Sequence, residues 1–229
     1  MAGGSMKDIK RRMKSVESTG QITKAMELVA SSKLRKAKER ATNSQPFFDT
    51  LYQTICEISS NNTDISSSFV KQREVKNSLF IVVAGDRGLA GGYNSNVLKM
   101  ADSAMLNKKS KVIAIGKKSV EHYEKNPDVS LVEGFANVAE EIDLIRIKAI
   151  SDMAVKLYND CEVDEIFVYY TEFVSALSQV ATELKILPLE GIAQKGQQLT
   201  NGVHALCIYE PSPEEVFEAI VPQYVSGLL

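Results

Sequence analysis

The sequence predicts an α/β protein: a mostly parallel, doubly wound sheet flanked by helices and preceded by one long N-terminal helix. From residue 79 onward, short continuous apolar runs alternate with stretches of helical periodicity. This alternation is typical of strands covered on both faces and of the helices that connect them. Before that point the chain keeps a helical pattern from residue 6 to residue 45, without proline. These two observations define the predicted architecture.

The long N-terminal helix is predicted from apolar residues spaced three and four positions apart. A helix of this length would extend roughly 60 Å, at about 1.5 Å per residue. A stripe that long requires an equally long partner. Pro46 predicts a kink or a break, after which the pattern resumes to about Ser60. The predicted coiled-coil stripe consists of Ile9, Met13, Val16, Ile22, Val29 and Leu34, with Met26 in the same pattern.

The charge of this helix is strongly asymmetric. Residues 6–40 carry eleven basic and four acidic residues, a net charge of +7, whereas the whole chain carries −2. A basic helix can face nucleic acid, a membrane surface or a protein, and a merely solvated face is the simplest alternative. No aromatic residue precedes Phe47, which disfavours an interfacial membrane helix and stacking on single-stranded nucleic acid. Protein contact is the favoured interpretation.

The second half of the chain predicts the strands and helices of the α/β domain. Small polar residues at 59–68 mark the domain boundary, with a linker over 61–75 and the α/β domain over 76–212. Strands are predicted at 79–84, 111–116, 128–133, 165–171, 180–187 and 204–210, the fifth antiparallel to the fourth. Helices are predicted from Ser95 to Leu106, from 117 to Lys125 and from Glu140 to Asn159.

Both ends of the chain carry an expectation. Residues 1–5 resemble an expression leader and are excluded from the fold. A helix is expected to begin at Pro213 with two acidic residues behind it. Its apolar pattern continues to Leu228 and Leu229. Residues 213–229 are therefore expected to be the start of a shortened C-terminal helix.

The residues give no catalytic, cofactor or metal site. The loop GDRGLAGGYN (85–94) lies between a strand and a helix, where backbone N–H groups can bind phosphate. Its spacing matches no phosphate-binding motif and Asp86 adds a negative charge, so a tight packing turn is the preferred interpretation. His122 and His204 show no metal-ligand spacing. Cys56, Cys161 and Cys207 are expected to be reduced and structural, as in a cytoplasmic protein.

Three segments resemble one family. The run QITKAMELVASSKLRKA (21–37) closely resembles the N-terminal helix of the gamma subunit of F-type ATP synthases. The loop at 85–94 is similar to the SDRGL-[CA]-GGYN turn of that family. The segments EPSP (210–213) and VPQYVS (221–226) resemble the approach to its C-terminal helix. The resemblance extends over residues 6–229.

The resemblance implies an architecture. Gamma subunits have an N-terminal and a C-terminal helix wound as an antiparallel coiled coil, with a Rossmann-like α/β domain between them in sequence. By resemblance, this chain has a Rossmann-like, mostly parallel sheet and a long N-terminal coiled-coil helix whose C-terminal partner helix is mostly absent. With that partner missing, the helix is expected to fray, to dock on its own α/β domain, or to pair between chains.

The resemblance also implies a function without catalysis in this chain and without a cofactor. The expected role is that of the central-stalk rotor subunit of a proton-translocating synthase, coupling rotation of the c ring to ATP synthesis or hydrolysis at beta-subunit sites. The implied partners are the alpha, beta and epsilon subunits and the c ring. The implied location is the cytoplasmic face of the bacterial plasma membrane, reached only through the complex. Beta-contact candidates within the matching motif are Met26, Lys33, Arg35 and Lys36.

Two other functions remain as hypotheses. A Rossmann-type nucleotide-binding protein with a helical arm depends only on the glycine loop and the fold pattern. A basic coiled-coil nucleic-acid binder would show affinity that falls steeply with salt. The sequence ranks the gamma-subunit interpretation first and nucleic-acid binding last.

Overall fold

The computed structural model describes residues 5–61, 66–138, 144–199 and 208–229. The chain divides into two compact units, Met1–Thr50 and Leu51–Leu229. The helices are α1 (Met6–Asn61), α2 (Tyr93–Met105), α3 (Lys117–Tyr123), α4 (Leu144–Asn159), α5 (Ile192–Leu199) and α6 (Pro213–Leu228). The strands are β1 (Asn77–Val83), β2 (Lys109–Ile115), β3 (Ser130–Phe135), β4 (Glu165–Phe173) and β5 (Gln179–Leu187).

Helix α1 continues through Pro46, so the break expected there does not occur. Proline removes one backbone donor, the one that would bond the carbonyl of Thr42 four residues earlier. Thr42 is exposed, so water can satisfy that carbonyl. One turn later the hydroxyl of Thr50 donates to the carbonyl of Pro46 at 2.8 Å. The expected kink at this position, and the exact domain limits, remain predictions.

The sheet has the strand order β3-β2-β1-β4-β5. β1 pairs in parallel with β2 and with β4, and β2 pairs in parallel with β3. β5 is antiparallel to β4, as the sequence predicts. Each of the first five predicted strands is present within a few residues of its expected limits. The sixth, at 204–210, lies largely outside the described residues.

Two hydrophobic clusters cover the two faces of the sheet. Alternate residues of β1 point to opposite faces, so Leu79 and Ile81 join one cluster while Phe80 and Val82 join the other. The first cluster contains side chains of the end of α1, α4 and α6, and the second contains side chains of α2 and Tyr123 of α3. Burial on both faces explains why the central strands are continuously apolar rather than alternating.

Two helices complete the first face. α6 begins as predicted, with Pro213 in its first turn and the backbone N–H of Glu215 donating to the side chain of Ser212 at 3.2 Å. The sequence analysis did not predict α5. Gly196 of α5 lies against the backbone of Cys56 in α1, so closely that a Cβ at residue 196 would come 2.2 Å from the Cys56 carbonyl oxygen.

Candidate partner interface

The apolar residues of the first unit are exposed to solvent along α1. Val16 is 72% exposed and Met26 is 55% exposed, values far above those of core residues. In one continuous helix, the six-residue step from Val16 to Ile22 turns the face by about 120°. The predicted single stripe therefore consists of two groups that face different directions. The first group is Ile9, Met13, Val16 and Leu34, and the second is Ile22, Met26 and Val29.

The four beta-contact candidates also divide between faces of α1. Lys33 lies seven residues after Met26 and hence nearly above it, and Lys36 lies one turn beyond Lys33. Arg35 is nine residues after Met26, which places it on the opposite side of the helix at about 100° per residue. There its guanidinium lies 3.4 Å from the carboxylate of Glu39. The helix thus groups Met26, Lys33 and Lys36, and separates Arg35 from them.

The glycine-rich loop after β1 is organised around Asp86. One carboxylate oxygen of Asp86 accepts hydrogen bonds from the backbone N–H groups of Lys117 and Asn137, each at 2.8 Å. Lys117 opens α3 and directly follows β2, at the crevice where an α/β sheet would offer N–H groups to a phosphate. Because the Asp86 carboxylate already occupies these two donors, they are not open to a phosphate, which favours a packing turn over a phosphate cradle.

The same loop exposes a hydrophobic side chain that the sequence analysis did not single out. Leu89 has φ 60°, in the left-handed region that non-glycine residues rarely adopt, and its side chain is fully exposed. The side chain of Asn94 fixes the base of the loop, because it accepts from Gly85 N–H at 2.7 Å and donates to the Arg87 carbonyl at 3.1 Å. The alternation of strand and helix gave no signal for this exposed residue.

The other candidate groups have structural partners where the structure describes them. His122 Nε2 lies 2.9 Å from a carboxylate oxygen of Asp102, a contact between α3 and α2 that sequence spacing did not suggest. Cys56 is buried and Cys161 is exposed, both as free thiols. Burial raises the pKa of the Cys56 thiol above its ordinary value. His204 and Cys207 lie outside the described residues.

Neither a metal site nor a membrane span is found in the parts of the chain described above. Over residues 5–61, 66–138, 144–199 and 208–229, no group of three or more His, Cys, Asp or Glu side chains could hold a metal ion. Over the same ranges, no helix has the length and apolarity required to cross a bilayer.

A buried ionic cluster lies where β4 begins. Glu165 is only 5% exposed, and its carboxylate accepts a hydrogen bond of 2.7 Å from the hydroxyl of Ser78. Lys108 and Lys185 approach the same carboxylate at 3.3 and 3.7 Å. Both ammonium groups also lie over the ring of Phe167, at 5.2 and 5.8 Å from its centroid. The sequence analysis noted Glu165 only as the first residue of a strand.

Comparison with known proteins places this geometry in context. A family model described as ATP synthase matches residues 5–229. The chain is 45% identical to the ATP synthase gamma chain of Ruminococcus albus over 98% of its own length and 78% of that protein. It is 34% identical to the sodium-ion-specific ATP synthase gamma chain of Acetobacterium woodii, over 97% of this chain and 78% of that protein.

A solved structure shares the fold. The central stalk and c ring of the mitochondrial ATP synthase of Tetrahymena thermophila contains a chain that matches with a TM-score of 0.63 at 20% identity, over 90% of this chain and 88% of that chain. Together, the matched family model and the gamma-chain relatives spanning nearly the whole sequence show that this chain belongs to the gamma-chain family of ATP synthases.

Proposed function

We propose that the chain is the central-stalk rotor subunit of an F-type ATP synthase. The observation that carries this proposal is the 45% identity to a gamma chain over 98% of the sequence. In this role the protein performs no bond-breaking chemistry. It transmits rotation of the c ring to the beta subunits, whose sites synthesise or hydrolyse ATP.

The proposed partners are the alpha and beta subunits, the epsilon subunit and the c ring. The proposed location is the cytoplasmic face of the bacterial plasma membrane, with membrane association only through the complex. We take the coupling ion to be the proton. Driving the reconstituted enzyme with a sodium gradient in the presence of a proton uncoupler tests that choice. ATP synthesis under those conditions would show that the coupling ion is sodium and not the proton.

In the proposed fold, a partner helix covers the two apolar groups of α1. We propose that the α/β unit is Rossmann-like and that the first unit forms an antiparallel coiled coil with a C-terminal helix. Val16 and Ile22 are exposed on faces about 120° apart, so one straight partner cannot cover both. A partner helix that winds around α1 can cover both groups in turn.

The basic residues support contact with an acidic partner inside the hexamer. For rotation to change the state of a beta site, a contact must differ in free energy between rotational positions, since equal contact in every position couples nothing. Met26, Lys33 and Lys36 lie close together on one side of α1 and could form such a directional patch. Lys33 and Lys36 would meet acidic loops of the beta subunit, and Met26 would slide against an apolar surface.

A pair of single charge reversals tests this patch. Lys36 lies in the patch, whereas its neighbour Arg35 lies about 100° further round the helix, opposite Met26, where it pairs with Glu39. In the assembled enzyme, Lys36→Glu should lower coupled ATP turnover by about two- to fivefold, as expected for one partly exposed ion pair. Arg35→Glu should have a smaller effect.

The outcome is measured as ATP synthesis by reconstituted vesicles, with assembly checked by native mass spectrometry. Equal losses of ATP synthesis for the two variants would contradict the proposal of a directional patch. A chain that fails to assemble with the alpha–beta hexamer, even without substitution, would contradict the rotor function itself.

A further inference from the structure

The α/β unit contains a lysine-lined cleft at the amino ends of its parallel strands. The cleft has a volume of about 610 Å³ and is lined by Val75, Lys76, Ser78, Asn107, Lys108, Lys109 and Glu165. We call these seven residues the amino-edge cleft. They come together because β2, β1 and β4 are adjacent and parallel, with Asn77 opposite Lys109 and Ser78 opposite Glu165.

The floor of the amino-edge cleft is charged but internally compensated. Ser78 is 1% exposed, and its hydroxyl donates to Glu165. Lys108 and Lys185 both approach the Glu165 carboxylate, and Lys185 also lies 2.5 Å from Glu190. A buried carboxylate held by two ammonium groups and a hydroxyl has its desolvation offset and does not require a further cation.

The rim of the amino-edge cleft is therefore cationic. The lining contains three lysines and one glutamate, so its formal charge is +2. Lys76 and Lys109 are exposed, and the one ion pair of Lys76 in the part of the chain that the structure describes is a loose contact with exposed Glu74 at 3.7 Å. Exposed, weakly paired lysines around a concave surface attract a negatively charged group.

The fold favours carboxylates over phosphates as that group. Phosphate sites use convergent backbone N–H groups at helix N-termini. In this sheet, α2 and α3 begin at the opposite edge, after the carboxyl ends of β1 and β2, where Asp86 already binds the N–H of Lys117. The rim of the amino-edge cleft offers flexible ammonium groups, which suit the carboxylates of a polypeptide loop.

We propose that the amino-edge cleft docks an acidic segment of a neighbouring subunit, with Asp or Glu side chains entering between Lys76, Lys108 and Lys109. This inference rests on the proposed function, because it places the chain inside a multi-subunit complex. Val75 is half-exposed at the rim and supplies an apolar contact for the docked backbone. The cleft is thus a second contact surface, on a different element from the basic face of α1.

Site-specific photo-crosslinking in the assembled enzyme tests the cleft. The photoreactive residue p-benzoylphenylalanine replaces Lys109, and after irradiation the crosslinked peptide is identified by mass spectrometry. The expected product joins residue 109 to a segment of another subunit that contains Asp or Glu. The same photoreactive residue at exposed Lys99 of α2 is the positional control and should not give that product.

A charge reversal in the same sample tests the electrostatic argument. Adding Lys76→Glu should lower the yield of the residue-109 crosslink about threefold, the effect of losing one exposed ion pair and gaining a repulsion. Lys148→Glu on the exposed side of α4 is the matched control and should leave the yield unchanged.

The outcomes separate the two proposals. Normal assembly with no crosslink from residue 109, or with a crosslink to lipid or to a segment without acidic residues, would overturn the docking proposal and leave the rotor function intact. A yield that does not respond to Lys76→Glu would also overturn it. Failure of the unsubstituted chain to enter the complex would overturn both.

Discussion

Substituting Gly196 by alanine should destabilise the α/β unit, although alanine is the better helix former. The added Cβ would lie 2.2 Å from the Cys56 carbonyl oxygen and 2.8 Å from Cβ of Ser60. Both atoms belong to the part of α1 that packs in the core, where Ile55 and Ile58 are fully buried. The helices would have to separate by about 1 Å, and such overpacking costs roughly 1–3 kcal/mol.

The net effect follows from two opposing terms. The contact involves a backbone oxygen, which cannot rotate away, so the upper end of that range, about 3 kcal/mol, applies. The helix propensity of alanine offsets about 1 kcal/mol of this cost. The expected net loss is about 2 kcal/mol in the free energy of unfolding. With an m value of about 2 kcal/mol per molar urea, the midpoint should fall by about 1 M.

Tyrosine signals give a selective assay for this change. All eight tyrosines follow residue 50, so near-ultraviolet circular dichroism and tyrosine fluorescence report the second unit alone. Gly20→Ala is the matched control, since Gly20 is also helical but has no atom within 4 Å of an added Cβ. It should raise the helical signal slightly and leave the tyrosine transition unchanged. A Gly196→Ala midpoint equal to or above that of the wild type would refute the packing argument.

Three further predictions concern the same unit. Gly116→Ala should prevent folding or lower the free energy of unfolding by more than about 3 kcal/mol. The backbone at Gly116 has φ +87°, and an added Cβ would lie 1.9 Å from the Ala84 carbonyl oxygen. A soluble variant with the wild-type urea midpoint would contradict this. In urea titrations, Glu165→Leu should lower the free energy of unfolding by about 2 kcal/mol and Glu165→Gln by about 1 kcal/mol. The leucine variant loses more because it also removes the acceptor for the hydroxyl of buried Ser78. Equal losses would count against that ordering. Burial raises the pKa values of Tyr123 and Tyr169 above their ordinary value of 10.0, so the folded state holds these protons more tightly and stability is lost as the pH rises above 10. Their absorbance change at 295 nm should accompany the loss of circular dichroism, and ionisation of all tyrosines before unfolding would be inconsistent with it.

The sheet could be predicted because its strands carry an unambiguous physical signal. Leu79 to Ala84 are apolar without interruption, which requires cover on both faces, and the structure gives each face its own cluster. Helix α5 was missed because it is short and polar on its outer side, and its close packing depends on Gly196, a residue that usually weakens a helix. The break expected at Pro46 does not occur, because an exposed helix can satisfy the lost bond with water.

The contact candidates were only partly accessible to sequence analysis. Composition revealed the basic helix, and the motif suggested Met26, Lys33, Arg35 and Lys36. At about 100° per residue, the predicted helix already places Arg35 on the side opposite Met26 and Lys33, a consequence of the spacing that the motif match did not take into account. The amino-edge cleft was invisible in the sequence, because Lys76, Lys108 and Glu165 are far apart in the chain and meet only through strand order.

The bridge made by Asp86 has a mechanical consequence. A single carboxylate oxygen binds Lys117, just after β2, and Asn137, just after β3, while Asp86 itself follows β1. A force applied to any one of these three loops is therefore shared with the other two through two short, charge-assisted bonds. In the proposed rotor role, such cross-bracing would keep these three loops stiff under torsional load, so that they transmit force with little bending.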